Sequence, residues 1–367
     1  MFMNIKEFNP NNLTKTSNSL NSLSPYIGRL RPECADYLIS YYADPKKPIF
    51  DPFCGSGTVL LQGWISGYRV YGNDLNPYAY ILSLGKLNPY RNETEAVSQI
   101  NYYNGIIERK KAKVDCSAVP QWVKDFYNAE TLKETIAWFS VLKSHREWFL
   151  LSCLLGILHH QRPGFLSYPA SHGAPYLRTN KYPRDQFPEM YEYRSVCEKL
   201  SQKVHRVYKA FPILDYTLER TVFNKNSSTM HLKKLDSGTI ITSPPYMRSL
   251  TYARDNRLRL WFLGEEDWES LDHIISPTKD DYSKMMSNCF RKWAGYQVSG
   301  DKCIIVTGDI KIKTSDSYIP LAQHIHDISH KDYSLIDAFQ DPIPESHKLV
   351  KGHNNIKKEI IVVLERK

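Results

Sequence analysis

The sequence predicts an α/β protein built on a doubly wound, mostly parallel sheet, and three observations carry that expectation. Apolar Pro48-Ile49-Phe50 runs into Asp51 and a Gly-x-Gly turn at Gly55 and Gly57; the stretch Tyr68 to Gly72 ends at Asn73-Asp74; and buried-strand patterns recur far downstream at Ile240-Ile241, Cys303 to Val306 and Glu359 to Leu364. With 367 residues, 42% of them hydrophobic, the chain can bury a large core and exceeds one ordinary domain.

Residues before about Asn18 are polar, rich in Asn and predicted loose. Pro32 to Tyr42 has helical spacing and stops ahead of Pro45. After the strand at Ile49, a helix from Thr58 to Ser66 opens at the Gly-rich turn and closes at Gly67, and Pro77 to Leu87 follows the second strand as another helix. Trp122 to His160 shows long helical periodicity; within it the apolar run Trp148 to Leu158 is too short to cross a bilayer and is predicted buried. Five prolines between Pro163 and Pro188 predict a structured loop. Helical patterns return over Glu189 to Ala210 and Arg254 to Gly264. Strands on both sides of this helical middle predict a discontinuous α/β domain, residues 1–100 and 215–367, around an inserted segment, 101–214.

The charge is uneven. Residues 101–235 hold 21 of the 48 basic but only 12 of the 39 acidic side chains, and so carry the whole net charge of +9. Such a block suits contact with nucleic-acid phosphates, through counterion release, or a solvated helix face. The N-terminus lacks the apolar core of a secretory signal, and no membrane segment is expected, so a cytoplasmic protein is. Seven scattered cysteines without a Cys-x-x-Cys pair predict reduced thiols and no metal; His159-His160 and His324-x-His326 have no Cys or carboxylate at ligand spacing.

Glycines at 55 and 57 let backbone approach a ligand closely. Asp51, at the strand end, can accept turn amides and lie near a cationic amino-acid group; Asp74, at the end of the next strand, can accept both hydroxyls of a ribose. Thr58 stands where a phosphate-binding loop needs Lys, and the three spaced glycines of a nicotinamide site are missing. Asp51-Pro52-Phe53-Cys54-Gly55-Ser56-Gly57-Thr58, then Gly72-Asn73-Asp74-Leu75-Asn76-Pro77, then Thr242-Ser243-Pro244-Pro245-Tyr246, resemble in order the motifs of the DNA cytosine-N4/adenine-N6 amino-methyltransferase family, over roughly 18 to 90 and 220 to 367. Lys351-Gly352-His353 to Lys367 resembles the family's closing strands.

The resemblance implies a Rossmann-like methyltransferase sheet of about seven strands, with a largely helical recognition insert, and S-adenosylmethionine as cofactor. It implies that Phe53 flanks the methionine part and Asp74 holds the ribose, with Cys54, Gly55, Gly57, Thr58 and Leu75 around them. Ser24 to Pro32 resembles the segment that closes over the methionine end, bringing Tyr26; Arg31 would pair either with the cofactor carboxylate or with a structural acid. Where the family often carries an acid near the cofactor adenine, Asn224 to Ser228 has none.

In the second motif, Ser243 can accept an amine N–H, Pro244-Pro245 has no backbone donors, and Tyr246 would stack on a flipped base. No Cys lies beside the prolines, which disfavours methylation at cytosine carbon-5. Tyr252, Arg254, Arg257, Arg259 and Trp261, with Arg162 and Arg178, are candidate contacts to the target strand. The expected activity is site-specific methylation of double-stranded DNA at cytosine N4, in a restriction-modification or phage-defence system with a cognate restriction endonuclease. Adenine-N6 methylation of DNA, guanosine-N2 methylation of RNA and a catalytically silent nucleic-acid-binding protein stay open as alternatives.

Overall fold

The computed structural model describes residues 5–7, 18–171, 173–232, 235–245, 252–275, 277–308, 310–311, 318–341 and 359–367. In chain order, β1 (Lys6–Glu7) precedes α1 (Pro32–Tyr42), β2 (Ile49–Asp51), α2 (Thr58–Ile65), β3 (Val70–Asn73) and α3 (Pro77–Leu87). Helices α4 (Glu93–Lys110), α5 (Gln121–Lys124), α6 (Ala129–Ser144), α7 (Trp148–Ile157) and α8 (Val196–Tyr208) lead to β4 (Arg220–Phe223) and β5 (Thr239–Thr242). Then come α9 (Arg257–Leu263), α10 (Trp268–Ile275), α11 (Lys279–Ala294), β6 (Lys302–Gly308), the hairpin β7 (Ile310–Lys311) and β8 (Tyr318–Ile319), α12 (Leu321–Ser329), β9 (Tyr333–Asp341) and β10 (Glu359–Arg366).

The main sheet runs β1-β9-β10-β6-β5-β2-β3-β4. Its neighbours are parallel except at β10, which is antiparallel to both β9 and β6. Setting aside the short edge strand β1, the seven remaining strands have the order of the Rossmann-like methyltransferase sheet, the expected fold class. The chain winds from β2 toward β4 on one side and from β5 toward β9 on the other. The crevice at the carboxyl ends of β2 and β5 is therefore the switch point where such sheets hold ligands.

Alternation along the strands divides the core. Ile360, Val362 and Leu364 pack with Phe50, Ile240 and α11 and α12, whereas Ile361 and Val363 pack with Ile241, Ile304 and the helices of the opposite face. That second face is deep: Trp138 of α6, Leu150 of α7 and Leu200 of α8 belong to the same apolar cluster as Ile49 and Leu60. Segment 101–214 thus shares one continuous core with the sheet.

Two small residues set these packing distances. A Cβ on Gly85 of α3 would lie 2.0 Å from Ser152 Oγ on α7, and one on Gly156 of α7 would lie 1.9 Å from the Leu23 carbonyl oxygen.

The structure revises parts of the sequence-based expectation. Lys6–Glu7, predicted loose, pairs with Phe339 and Gln340, and Lys6 Nζ meets Asp337 at 3.0 Å. The long periodicity from Trp122 is three helices: Asn128 caps α6, and Arg146 adopts φ of 57° between α6 and α7. The helix expected from Glu189 begins at Val196, after a 3-10 turn over Pro188–Tyr191. The Lys351-Gly352-His353 string lies outside the described residues. Among the described residues no helix is long and apolar enough to cross a membrane.

Candidate functional site

Asp51 ends β2 with its side chain buried. Its Oδ1 accepts the Thr242 hydroxyl at 2.6 Å, and the Phe53 N–H reaches both Asp51 Oδ1 and Thr242 Oγ1 at 3.2 Å. The two motifs, almost two hundred residues apart in sequence, are thereby tied across the parallel β2–β5 pair. Burial pushes the Asp51 carboxyl up to about 7; the bonds from Thr242 and Phe53 work against that rise, and neighbouring Asp74 adds to it.

The turn after β2 needs its glycines. Gly55 and Gly57 have φ of 48° and 72°. A Cβ on Gly55 would press on the Tyr26 ring at 3.2 Å, and one on Gly57 would reach Ser83 Oγ at 2.7 Å. Ser83 of α3 fixes the turn by donating to the Gly55 carbonyl at 3.0 Å. Asn76 caps α3 through the Tyr78 amide at 3.0 Å, with Pro77 in the first helical position.

Asp74, just past β3, accepts Gly55 N–H at 2.8 Å and Asn76 N–H at 2.9 Å. Burial raises this carboxyl to about 6, and those two bonds limit the rise. Since a carboxylate has about four acceptor positions, capacity remains for two hydroxyls.

These groups line one cavity of about 900 Å³. Tyr26, Asp51, Phe53, Cys54, Gly55 and Thr58 form one part of its wall, and Asp74 and Leu75 continue it. Ser243 and Pro245 line it from the β5 side, while Pro244 lies between them and is buried. Tyr246 lies outside the described residues. Tyr252 closes the cavity with its ring stacked on Tyr26 at 6.4 Å, and Gly57 stands behind the wall at the start of α2.

The other expected residues fall elsewhere. Arg31 does not line the cavity: it forms an ion pair with buried Asp341, the structural acid among its two expected partners. Arg259 is fully buried, bonded to the Leu155 carbonyl and Asn256, which corrects its expected contact with a target strand. Arg257 sits 4.7 Å over Tyr176 and donates to the Pro175 carbonyl. Arg178 lies 5.1 Å over Tyr182, Arg254 meets Asp255 at 3.6 Å, Arg162 is exposed, and Trp261 packs partly buried against Phe262. Among the described residues no group of His, Cys, Asp or Glu is placed to hold a metal ion.

Sequence reasoning missed Asn73 and the segment after β4. Asn73 Nδ2 donates to the Lys225 carbonyl at 2.9 Å and to Ser227 Oγ at 3.1 Å, and Asn224 donates to the Asp74 carbonyl at 2.7 Å. The acid-free stretch around Asn226 is thus held against the cavity wall by amide side chains. Asn73 could have been noticed, since it stands inside the quoted second motif; the partners of Asn224 could not.

The raised Asp51 pKa has a testable sign. The usual Asp value is about 3.9 in an unfolded chain, so between that value and about 7 the folded state binds more protons, and stability falls as pH rises through about 7. Asp51→Asn removes the buried charge. Its melting temperature should therefore exceed the wild type's by more at pH 8 than at pH 6, as read by thermal denaturation; equal differences at both would mean Asp51 titrates normally.

S-adenosylmethionine fits this donor set: Asp74 offers acceptors for ribose hydroxyls, the glycine turn admits close contact, and Asp51 offers a buried carboxylate to an ammonium group. No family model matches the chain. In sequence it is 24% identical over 314 residues to the Type II methyltransferase M.MvaI of Kocuria varians, covering 75% of this chain and 67% of that protein. A match to the Type II methyltransferase M.MjaII of Methanocaldococcus jannaschii is 31% identical over 71 residues, 19% of this chain and 13% of that one. The chain thus spans only part of the length of these relatives. Among solved structures, TrmN from Thermus thermophilus covers 95% of this chain and 52% of its own, with 11% identity and a TM-score of 0.39. The rRNA methyltransferase aviRa from Streptomyces viridochromogenes covers 95% of this chain and 90% of its own, with 10% identity and a TM-score of 0.34. By its sheet order and cavity the chain is an S-adenosylmethionine-dependent methyltransferase in fold, and it is similar in sequence to Type II methyltransferases.

Proposed function

We propose that the protein methylates an exocyclic amino group in double-stranded DNA, at cytosine N4 rather than adenine N6, as the modification partner of a restriction endonuclease of the same specificity. The observation that carries this reading is the Asp51–Thr242 hydrogen bond, which sets Ser243 and Pro245 on the cavity that Asp74 and the glycine turn also line. The cytosine preference leans on Ser243 alone, through the motif's resemblance. The DNA substrate is supported by the similarity to Type II methyltransferases and by the basic segment 101–214, with Arg162 exposed and Arg178 stacked on Tyr182.

An aromatic amine is a poor nucleophile because its lone pair is delocalised into the ring. S-adenosylmethionine supplies the electrophilic methyl group; the residues of this chain prepare the acceptor. Ser243 Oγ accepts one N–H, and a carbonyl of the donor-free Pro244-Pro245 pair takes the other, which favours a more tetrahedral nitrogen. Tyr246 stacks on the base once it leaves the duplex, at an unstacking cost of about a few kcal/mol. The barrier falls through alignment and matched hydrogen bonds, without a covalent nucleophile.

The test is incubation with labelled cofactor and mixed DNA and RNA, followed by nucleoside mass spectrometry. Labelled N4-methylcytosine from DNA is expected. N6-methyladenine alone would overturn the base assignment, and label in RNA alone would overturn the substrate. Tyr246→Ala is expected to lose roughly a hundredfold or more in turnover, from lost stacking and alignment, while binding cofactor normally in equilibrium dialysis; full activity would remove the stacking role.

A further inference from the structure

The two carboxylates of the cavity, Asp51 and Asp74, suit the ammonium and ribose of the proposed cofactor but not its carboxylate. Arg31, the residue the sequence offered for that group, is committed to Asp341. Two other cations stand nearby. Arg29 lines the cavity; its one printed hydrogen bond goes to the Asn21 carbonyl at 2.8 Å, and it makes no ion pair among the described residues, although Glu33 acts on it from the first turn of α1. Lys86 lies one helical turn beyond Ser83 on α3, behind the Cys54–Gly55 turn that Ser83 holds.

Lys86 is fully buried and its Nζ has no hydrogen-bond partner. A buried amine in that condition is costly, and native proteins rarely leave one without a counterpart. Its charged neighbour is Arg29, which repels it; Cys54 is the other group that acts on it.

We infer that Arg29 and Lys86 form the anion-binding end of the cavity and hold the carboxylate of the cofactor's amino-acid end. This deepens the proposed function and rests on it. The cavity is then polarised to match a zwitterion, acidic at Asp51 and Asp74 and basic at Arg29 and Lys86. Without a counter-ion, burial and then Arg29 push the Lys86 amine well below its usual range; a carboxylate beside both cations reverses that push.

The experiment is isothermal titration of the full chain with S-adenosylmethionine and with its decarboxylated analogue, which lacks that one group. Wild type should bind the intact cofactor about 10- to 100-fold more tightly, the worth of hydrogen bonds to a charged group. Lys86→Met and Arg29→Gln should each lose affinity of that order for S-adenosylmethionine and leave the analogue's affinity unchanged. Equal binding of both ligands by wild type, or equal loss of both in the variants, overturns the inference while leaving the proposed function in place. Binding of neither ligand overturns both. Should Lys86→Met fail to fold, Arg29→Gln on the cavity wall and the wild-type comparison still decide the matter.

Discussion

Asp74→Ala is expected to weaken binding of S-adenosylmethionine by about a hundredfold or more while leaving the fold intact. The proposed ribose contact is two hydrogen bonds to an ionised carboxylate, each worth about 1.5–3 kcal/mol, and about 1.4 kcal/mol is a factor of ten. The same side chain also holds the turn, through Gly55 N–H at 2.8 Å and Asn76 N–H at 2.9 Å, so its removal loosens the wall as well as the contact. Isothermal titration reads the loss, and far-ultraviolet circular dichroism checks the fold. Since the Asp74 carboxyl is raised to about 6 by burial, wild-type affinity should itself decline as the pH falls through that value, because a protonated carboxyl accepts less well. Asp74→Asn should be weak at every pH; a variant that binds like wild type at pH 8 would remove Asp74 from the site.

Gly156→Ala carries the largest expected cost to stability. The added methyl would lie 1.9 Å from the Leu23 carbonyl oxygen and 3.3 Å from Ser24 Cα, both backbone atoms that no rotamer change can clear. Overpacking of this kind costs roughly 1–3 kcal/mol or more, read as a lower urea midpoint at unchanged slope. It also has a functional echo. The displaced strand of chain leads two residues later into Tyr26, whose ring covers Gly55 and stacks on Tyr252. Cofactor affinity should fall with the midpoint, even though α7 touches no ligand in the proposed site; an unchanged midpoint would show that the segment shifts at no cost.

The first half of the sheet was legible because its signals are local. A strand, two glycines that must take positive φ, and an acid at each strand end appear within thirty residues, and the structure sets them around one cavity. The middle was less so, since apolar periodicity runs unbroken through Trp122 to His160 while the breaks are single residues, the Asn128 cap and the left-handed Arg146. Helix α4 had a readable start that went unread: Asn92 accepts Glu95 N–H at 2.8 Å while Glu95 reaches back to the Arg91 amide at 3.2 Å. The partner of Arg31 was beyond any local signal, because Asp341 lies 310 positions away and meets it only through the order of the strands. Arg29, two residues earlier, is the one left facing the cavity.

That strand order also bears on how the chain is made. β10 is the link between β6 and β9, pairing seven residues of one and eight of the other. As the polypeptide leaves the ribosome, β2 to β6 can assemble into a parallel sheet with both acids and Thr242 already in position, whereas β9 has no partner there until Glu359–Arg366 emerges. The ligand cavity is therefore formed by the earlier-made strands, and the final insertion of β10 acts as a late seal. A nascent chain halted before residue 359 would display the open edges of β6 and β9 to chaperones and to other copies of itself.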